Sequence, residues 1–471
     1  MTSSAHQVPH GAHRLSLVPL LAAVLCTANA SAQVQPSDMP GTGGAVPGGP
    51  DAAIVEEPVI EISVGSQQMP VLVIAPATAS DGKLAEDVAG ELQLTGLFDV
   101  RTTTAMKLGP GLPARDKWPG LTTAAVVVAR SPRESTFPLV TSEAHHAAEK
   151  DVYRRRELVE YPGSEPMVVP VLADSIIEDV LGVRSHMSGQ LLMTDASTRG
   201  ERSVRVSSPD GKRGRRVSGF GSLSRGAGFD KDGRVWYAAE DASGKLQVFR
   251  ERETTPLELG MAGYVQSVAF SPTASHLVVS IGDGNRVRTW LGTSVDSLQE
   301  MQLPQDRTSL SPSVDASGRV VHTVGPIKGP FSVFLGAKQV TAPGVWAAMP
   351  SFCSTLVEDR VVFMVRAGRS WHVRIKSLTN EATRTVATHA MSPTCSPDGR
   401  TVAFFSPDKY GKGPGIYLVS DIGGRARKVW DGQAAGLRWR AGEPLPRKAV
   451  VRAAPPQPET PPQPTEPQPP Q

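Results

Sequence analysis

The stretch Ser392–Ser406, SPTCSPDGRTVAFFS, couples a Ser-Pro-Asp-Gly turn to a run of strand-forming residues. Pro397 presets φ for a turn, Asp398 can bond its own backbone, and Gly399 accepts the left-handed conformation that closes a short hairpin loop. Val402 to Phe405 is apolar at every position. A strand with one solvated face alternates, so this run predicts a strand covered on both faces. The turn also recurs. Aligned on the large residue before it, the chain reads FDKDG from Phe229, FSPTA from Phe270 and VDASG from Val314. FCSTL follows from Phe352, CSPDG from Cys395 and WRAGE from Trp439, at intervals of 38 to 44 residues. Most are followed by a β-rich run such as RVWYAAE or RVVFMV. A period near forty residues with several strands per unit is the signature of a β-propeller blade. Short, β-branched segments punctuated by Gly and Pro argue against a helical repeat. A six-bladed propeller is expected over 187–447, with Asp232, Gly233, Gly318, Pro397, Asp398 and Gly399 as turn-forming residues.

Each period also holds an outer hairpin, for example 244–259, 369–388 and 415–430. The first, 202–218, precedes the first turn motif; the last motif, GLRWR at 436–440, follows the final outer hairpin. The blade begun by 190–194 and 202–218 therefore lacks an inner strand, and the C-terminal motif lacks outer strands. Pairing the two supplies what each lacks and closes the ring, which removes exposed blade faces and free edges.

The chain has 471 residues, of which the propeller accounts for about 250, so a further domain is expected. Residues 58–186 have a different texture: candidate strands at 58–64, 69–77 and 122–130, and candidate helices at 82–96 and 170–182. The first helix shows Leu84, Val88 and Leu92 on one face and Gly96 as its stop. Strand-strand-helix-strand-helix reads as a small α/β domain. Residues 1–32 read as a signal peptide, with Arg14, the apolar Leu15–Leu25 and an Ala30-Ser31-Ala32 cleavage site. That apolar run is too short to span a bilayer. Residues 33–57 form a Pro/Gly-rich linker and 448–471 a Pro-rich tail of polyproline II character. Forty-nine basic and 46 acidic residues leave a net charge of +3, so charge points neither to nucleic acid nor to a membrane. The clusters Arg154–Arg156 and Lys212–Arg216 read as solvated turns and helix faces. Cys353 and Cys395 occupy neighbouring positions of consecutive motifs and read first as buried apolar residues; in an oxidising compartment a disulfide stays open.

The order of these segments resembles the TolB family, periplasmic proteins of the Tol–Pal envelope system. MPVLVIAPATASDGKLAEDVAGELQLTGLFDV is similar to the family's opening strand and helix, with Thr95-Gly96-Leu97-Phe98 at its exit. AAVVVA looks like the following strand, and VLADSIIEDVLGVRSHMSGQLLMT like the helix that leads into the first propeller strand. Six turns with outer hairpins of the IYLVSDIGG kind complete the likeness. Two features depart from it: four turns lack Asp-Gly, and about 25 linker residues precede Pro58.

The resemblance implies a periplasmic scaffold, peripheral to the membrane and monomeric, that binds a Pal-like peptidoglycan-associated lipoprotein. It implies support of outer-membrane integrity and of envelope constriction at cell division. It also implies that Val59, Ile60, Glu61, Ile62, Ser63 and Val64 communicate with a TolA-like inner-membrane protein. The residues themselves carry no His-Glu-x-x-His, Gly-x-Ser-x-Gly, phosphate-loop or Cys-x-x-Cys motif. Adjacent His145 and His146 point apart in any regular element, a poor ligand pair. No catalytic residue, cofactor or metal is expected. The alternative reading is a generic exported propeller that binds a peptide or carbohydrate.

Overall fold

The computed structural model describes residues 69–106, 122–131, 138–147, 153–160, 163–198, 200–219, 223–303, 307–326, 329–407 and 413–442. All lie within one compact unit, Pro50–Gln471. The expected leader, the linker, the strand at 58–64 and the Pro-rich tail fall outside the described residues.

The α/β domain is a five-stranded sheet of β1 (Val71–Pro76), β2 (Asp99–Thr102), β3 (Thr122–Ser131), β4 (Leu139–His146) and β5 (Tyr153–Val159). The order is β2-β1-β3-β4-β5; β1 runs parallel to β2 and β3, and the other pairs are antiparallel. Helices α1 (Gly82–Thr95) and α2 (Glu165–Leu181) share one core with the sheet, built from residues such as Leu72, Ile74, Val126, Leu92 and Ile176. Leu84, Val88 and Leu92 are buried as their spacing predicts, and Gly96 ends α1 at φ 68°. Among the described residues no helix is long and apolar enough to cross a membrane.

Three strands depart from the sequence expectation. β2 has only four residues, and β4 and β5 (LVTSEAHH and YRRRELV) are too polar to read as strands. Their polarity is used internally. The Arg155 guanidinium reaches buried Glu143 at 3.2 Å, and Arg156 meets Asp179 of α2 at 2.6 Å. Arg154 donates to the Asp179 carbonyl at 2.6 Å. The Arg154–Arg156 cluster is thus part of the domain's packing, not a solvated turn. Helix α2 also starts earlier than the sequence predicts: Pro170, the expected start, lies inside it, with Pro166 in the first turn.

The ring follows as six radial sheets whose strands are lettered a to d outward from the axis. Blade 2 is Ser224–Phe229, Val235–Glu240 and Leu246–Arg250; blade 3 is Tyr264–Phe270, Leu277–Gly282, Val287–Gly292 and Gln299–Glu300. Blade 4 is Thr308–Val314, Val320–Gly325, Ser332–Leu335 and Lys338–Gln339. Blade 5 is Ala347–Phe352, Arg360–Ala367, Ser370–Ser377 and Thr383–Thr388. Blade 6 is Met391–Cys395, Thr401–Ser406, Gly415–Ser420 and Gly423–Asp431. Blade 1 takes its strand a, Ala434–Arg440, from the far end of the chain and adds Gln190–Asp195, Ser203–Ser207 and Gly214–Arg216. Ala435 pairs with Thr194 and Trp439 with Leu191, so the ring closes as the two incomplete ends require. In blade 6, Phe404 enters the cluster shared with blade 5 while Ala403 and Phe405 enter the cluster shared with blade 1. Two covered faces explain the unbroken apolar run. A buried Asp174 on α2 accepts from the Met187 and Ser188 amides at 2.6 and 2.9 Å and fixes the entry into blade 1.

Candidate functional site

The recurring turn organises one end of the ring through the residue that opens it. Asp230 Oδ1 accepts from the Asp232 and Arg234 amides, each at 2.9 Å, and Asp315 Oδ1 accepts from those of Ser317 and Arg319 at 3.0 and 2.9 Å. Ser271 and Ser396 do the same with a hydroxyl, to His276 and Thr401 at 3.1 and 3.0 Å. Gly233, Gly318 and Gly399 take left-handed φ of 76°, 85° and 71°, and Ala274 takes the same region, 52°, where blade 3 has lost its glycine. In these four blades the turn survives sequence decay because its first residue ties it. Pro397, Asp232 and Asp398 occupy its middle positions; Asp230 and Asp315 tie the turn in blades 2 and 4, and in blade 6 Asp398 also accepts from the Ser396 hydroxyl and the Arg400 amide.

Every strand a carries a β-bulge just before this turn. In five blades a residue of the bulge lies at left-handed φ: Gly226, Ser311, Met349, Ser392 and Gly436, at 54°, 47°, 52°, 50° and 61°. Such bulges re-aim the residues that follow, and non-glycine residues held there are a strain that clusters at functional sites. The residues beyond the bulges line an axial cavity of about 440 Å³.

The cavity wall combines Phe229, Phe270, Phe352 and Trp439, the large residues on which the repeat aligns, with Ser313, Ser351 and Thr394. Arg438 also lines it. Its Nη2 donates 3.2 Å to the carbonyl of Pro312, in the opposite blade 4, and its Nη1 donates 2.8 Å to Leu437 O. Its Nε has no hydrogen-bond partner, and among the described residues no carboxylate pairs with it. Burial alone pushes its guanidinium down to about 10. The rim carries further charges. Arg319 bridges Asp315 at 2.6 Å and Asp359 of blade 5 at 2.9 Å, and holds Asp359 below the usual carboxylate range. Arg440 lies over the Phe229 ring at 5.8 Å.

Sequence reasoning passed over Arg438, although the alignment held the signal. The residue before the large position is Gly228, Ala269, Ser313, Ser351 and Thr394 in five motifs, all small, and Arg438 in the sixth. Cys353 and Cys395 are corrected from separate buried thiols to a disulfide between blades 5 and 6, with Cα atoms 5.2 Å apart. Val59 to Val64 lie outside the described residues. His145 is buried and His146 bonds the Asp179 carbonyl at 2.9 Å. Among the described residues no three His, Cys, Asp or Glu side chains gather into a metal site.

No family model matches the chain, and no curated protein does. Solved structures do. The chain is similar to TolB from Acinetobacter baumannii at 14% identity, with a TM-score of 0.60 over 79% of this chain and 97% of that one. A putative TolB from Agrobacterium tumefaciens matches at 13% identity and TM-score 0.38, over 55% of this chain and 99% of that one. The β-propeller domain of the Trilobed protease from Pyrococcus furiosus matches at 8% identity and TM-score 0.31, over 65% and 96%. Only the first bears weight, and at its identity it establishes the architecture: an α/β domain followed by a six-bladed ring.

Proposed function

We propose that this chain is a divergent TolB-like adaptor: an exported, non-enzymatic, monomeric periplasmic protein of a Tol–Pal-type system. The turn-bearing end of its ring binds a Pal-like peptidoglycan-associated lipoprotein, in support of outer-membrane integrity and of constriction at division. One observation carries the reading, the shared order of α/β domain and ring across 97% of the Acinetobacter TolB chain. The Cys353–Cys395 bridge supports an oxidising compartment, as does the Arg14, Leu15–Leu25 and Ala-Ser-Ala pattern of a leader. Val59 to Val64 supply the contact with a TolA-like inner-membrane protein. A rigid ring end with convergent turns suits a docking face.

Pull-down from native envelope extract tests this, using the full chain and a variant lacking 33–57. Both are expected to recover an outer-membrane lipoprotein at moderate salt, since near-neutral charge leaves little to screen. The deletion alters recovery of the TolA-like protein, because it changes where the first strand is presented. Should the full chain recover no lipoprotein and retain a soluble peptide or carbohydrate, the generic binding propeller takes its place.

A further inference from the structure

We propose that the axial cavity is a carboxylate-binding site, with Arg438 as the receptor for an acidic side chain or C-terminus of an inserted peptide segment. The reading needs a ring end that binds ligands, but not a particular partner.

The cation stands where a ligand would end. Arg438 crosses the axis from blade 1 to the Pro312 carbonyl of blade 4, so its guanidinium spans the lumen. Two backbone carbonyls take two of its five N–H groups, its Nε takes no partner, and among the described residues no acid neutralises it. A partly buried guanidinium without a counter-ion is unfavourable, and a planar carboxylate matches its paired donors better than any other common group. The hydroxyls of Ser351 and Thr394, 3.5 Å apart, and that of Ser313 stand in the same lining as further donors. Local charge selects a monoanion. Among the described residues three guanidinium groups line the cavity: Arg438 crosses the lumen, Arg319 at the entrance is held by Asp315 and Asp359, and Arg440 lies over the Phe229 ring, so the centre offers one charge to one carboxylate. The aromatic wall of Phe229, Phe270, Phe352 and Trp439 adds apolar contact on either side of the charge, as a peptide with bulky neighbours supplies. The volume, about 440 Å³, lies in the range of small-ligand pockets.

The test is calorimetry on the full chain with acetyl-Phe-Glu-Phe-amide against acetyl-Phe-Gln-Phe-amide, which differ only in the charge. The glutamate peptide is expected to bind at least about tenfold tighter, the scale of a charged hydrogen-bonded pair. Arg438→Met is expected to erase that preference and Arg438→Lys to keep part of it. Equal binding of the two peptides, or a preference that survives in Arg438→Met, overturns the assignment. So does displacement of the glutamate peptide by inorganic phosphate at matched concentration, which would mark a free-anion site. If Arg438→Met does not fold, phenylglyoxal modification of the wild-type chain, mapped by mass spectrometry, gives the same decision. The glutamate peptide should slow modification of Arg438 and the glutamine peptide should not; equal protection, or none, sinks the idea. A lipoprotein recovered equally by wild type and Arg438→Met rejects this role of the cavity while leaving the adaptor reading intact. Peptide discrimination without lipoprotein recovery does the reverse.

Discussion

Glu91 sits on the same stripe of α1 as Leu84, Val88 and Leu92, and is as thoroughly buried as they are. Its spacing from Val88 already put it there; a helix reading that counts only apolar positions passes over it. Neither carboxylate oxygen has a hydrogen-bond partner. Burial pushes its carboxyl up to about 8, helped by the negative charge of Asp210 and Asp174 and only partly offset by Lys212 and Arg213. The folded protein therefore holds a proton that the unfolded chain releases near the ordinary glutamate range, around 4.3. The stability tied to that proton is complete below the unfolded value and is lost as pH rises toward about 8. Urea unfolding of the wild type should weaken between about pH 5 and pH 8, by an amount on the order of a few kcal/mol. Glu91→Gln, a neutral isostere, should match the wild type at the lower pH and exceed it at the higher. Parallel pH profiles for the two proteins would show that Glu91 is not protonated in the fold. The same scale explains Arg438: a single charged residue in a column of small ones is visible in an alignment, but only the closed ring shows that it crosses the axis.

At the scale of elements, the junction of blades 5 and 6 is tied both by a covalent bridge and by a buried arginine. The disulfide joins the two turn motifs, and Arg360 donates to Cys353 O at 3.1 Å, Gly399 O at 2.6 Å and the Asp421 carboxylate at 2.7 Å. Closing a loop of 42 residues in the unfolded chain is worth about 4 kcal/mol in a chain-entropy account. Reduction, or Cys353→Ser with Cys395→Ser, should lower the melting temperature by about 5 °C without changing the far-UV spectrum. Oxidised and reduced protein melting together would leave the bridge without a stabilising role. The repeat alignment put these cysteines at adjacent motif positions, yet pairing depends on an inter-blade distance that no spacing encodes. Periodicity made the blades legible because their second strands are buried on both faces, as in LVVSIG and TVAFFS. It failed for β4 and β5 because their buried polar residues are satisfied by each other and by Asp179, a solution that exists only after the domain packs. The same dependence hid the start of α2, where Pro170 is tolerated inside a helix whose remaining face is buried.

For the whole molecule the decisive feature is that blade 1 is built from two distant parts of the chain. Strand a, Ala434–Arg440, pairs with Gln190–Asp195 across more than two hundred residues, and Ala434 and Leu437 enter a cluster with Leu191, Met193 and Met391. The closing strand also carries Arg438 and Trp439 into the axial cavity, so ring integrity and the binding site depend on one segment. Ending the chain before Ala434 should expose the inner edge of Gln190–Asp195 and the apolar face it shares with blade 6, at a cost of at least about 5 kcal/mol from lost burial and pairing. Ending it after Ala453 removes only the Pro-rich tail and should leave stability unchanged. Thermal unfolding and binding of a hydrophobic dye, measured on both truncations beside the full chain, separate the cases. The shorter chain should melt far lower and bind dye at room temperature, and the longer should match the full chain on both counts. If both truncations melt with the full chain, closure by the C-terminal strand does not hold the ring, and the proposed path from ring closure to ligand binding fails with it.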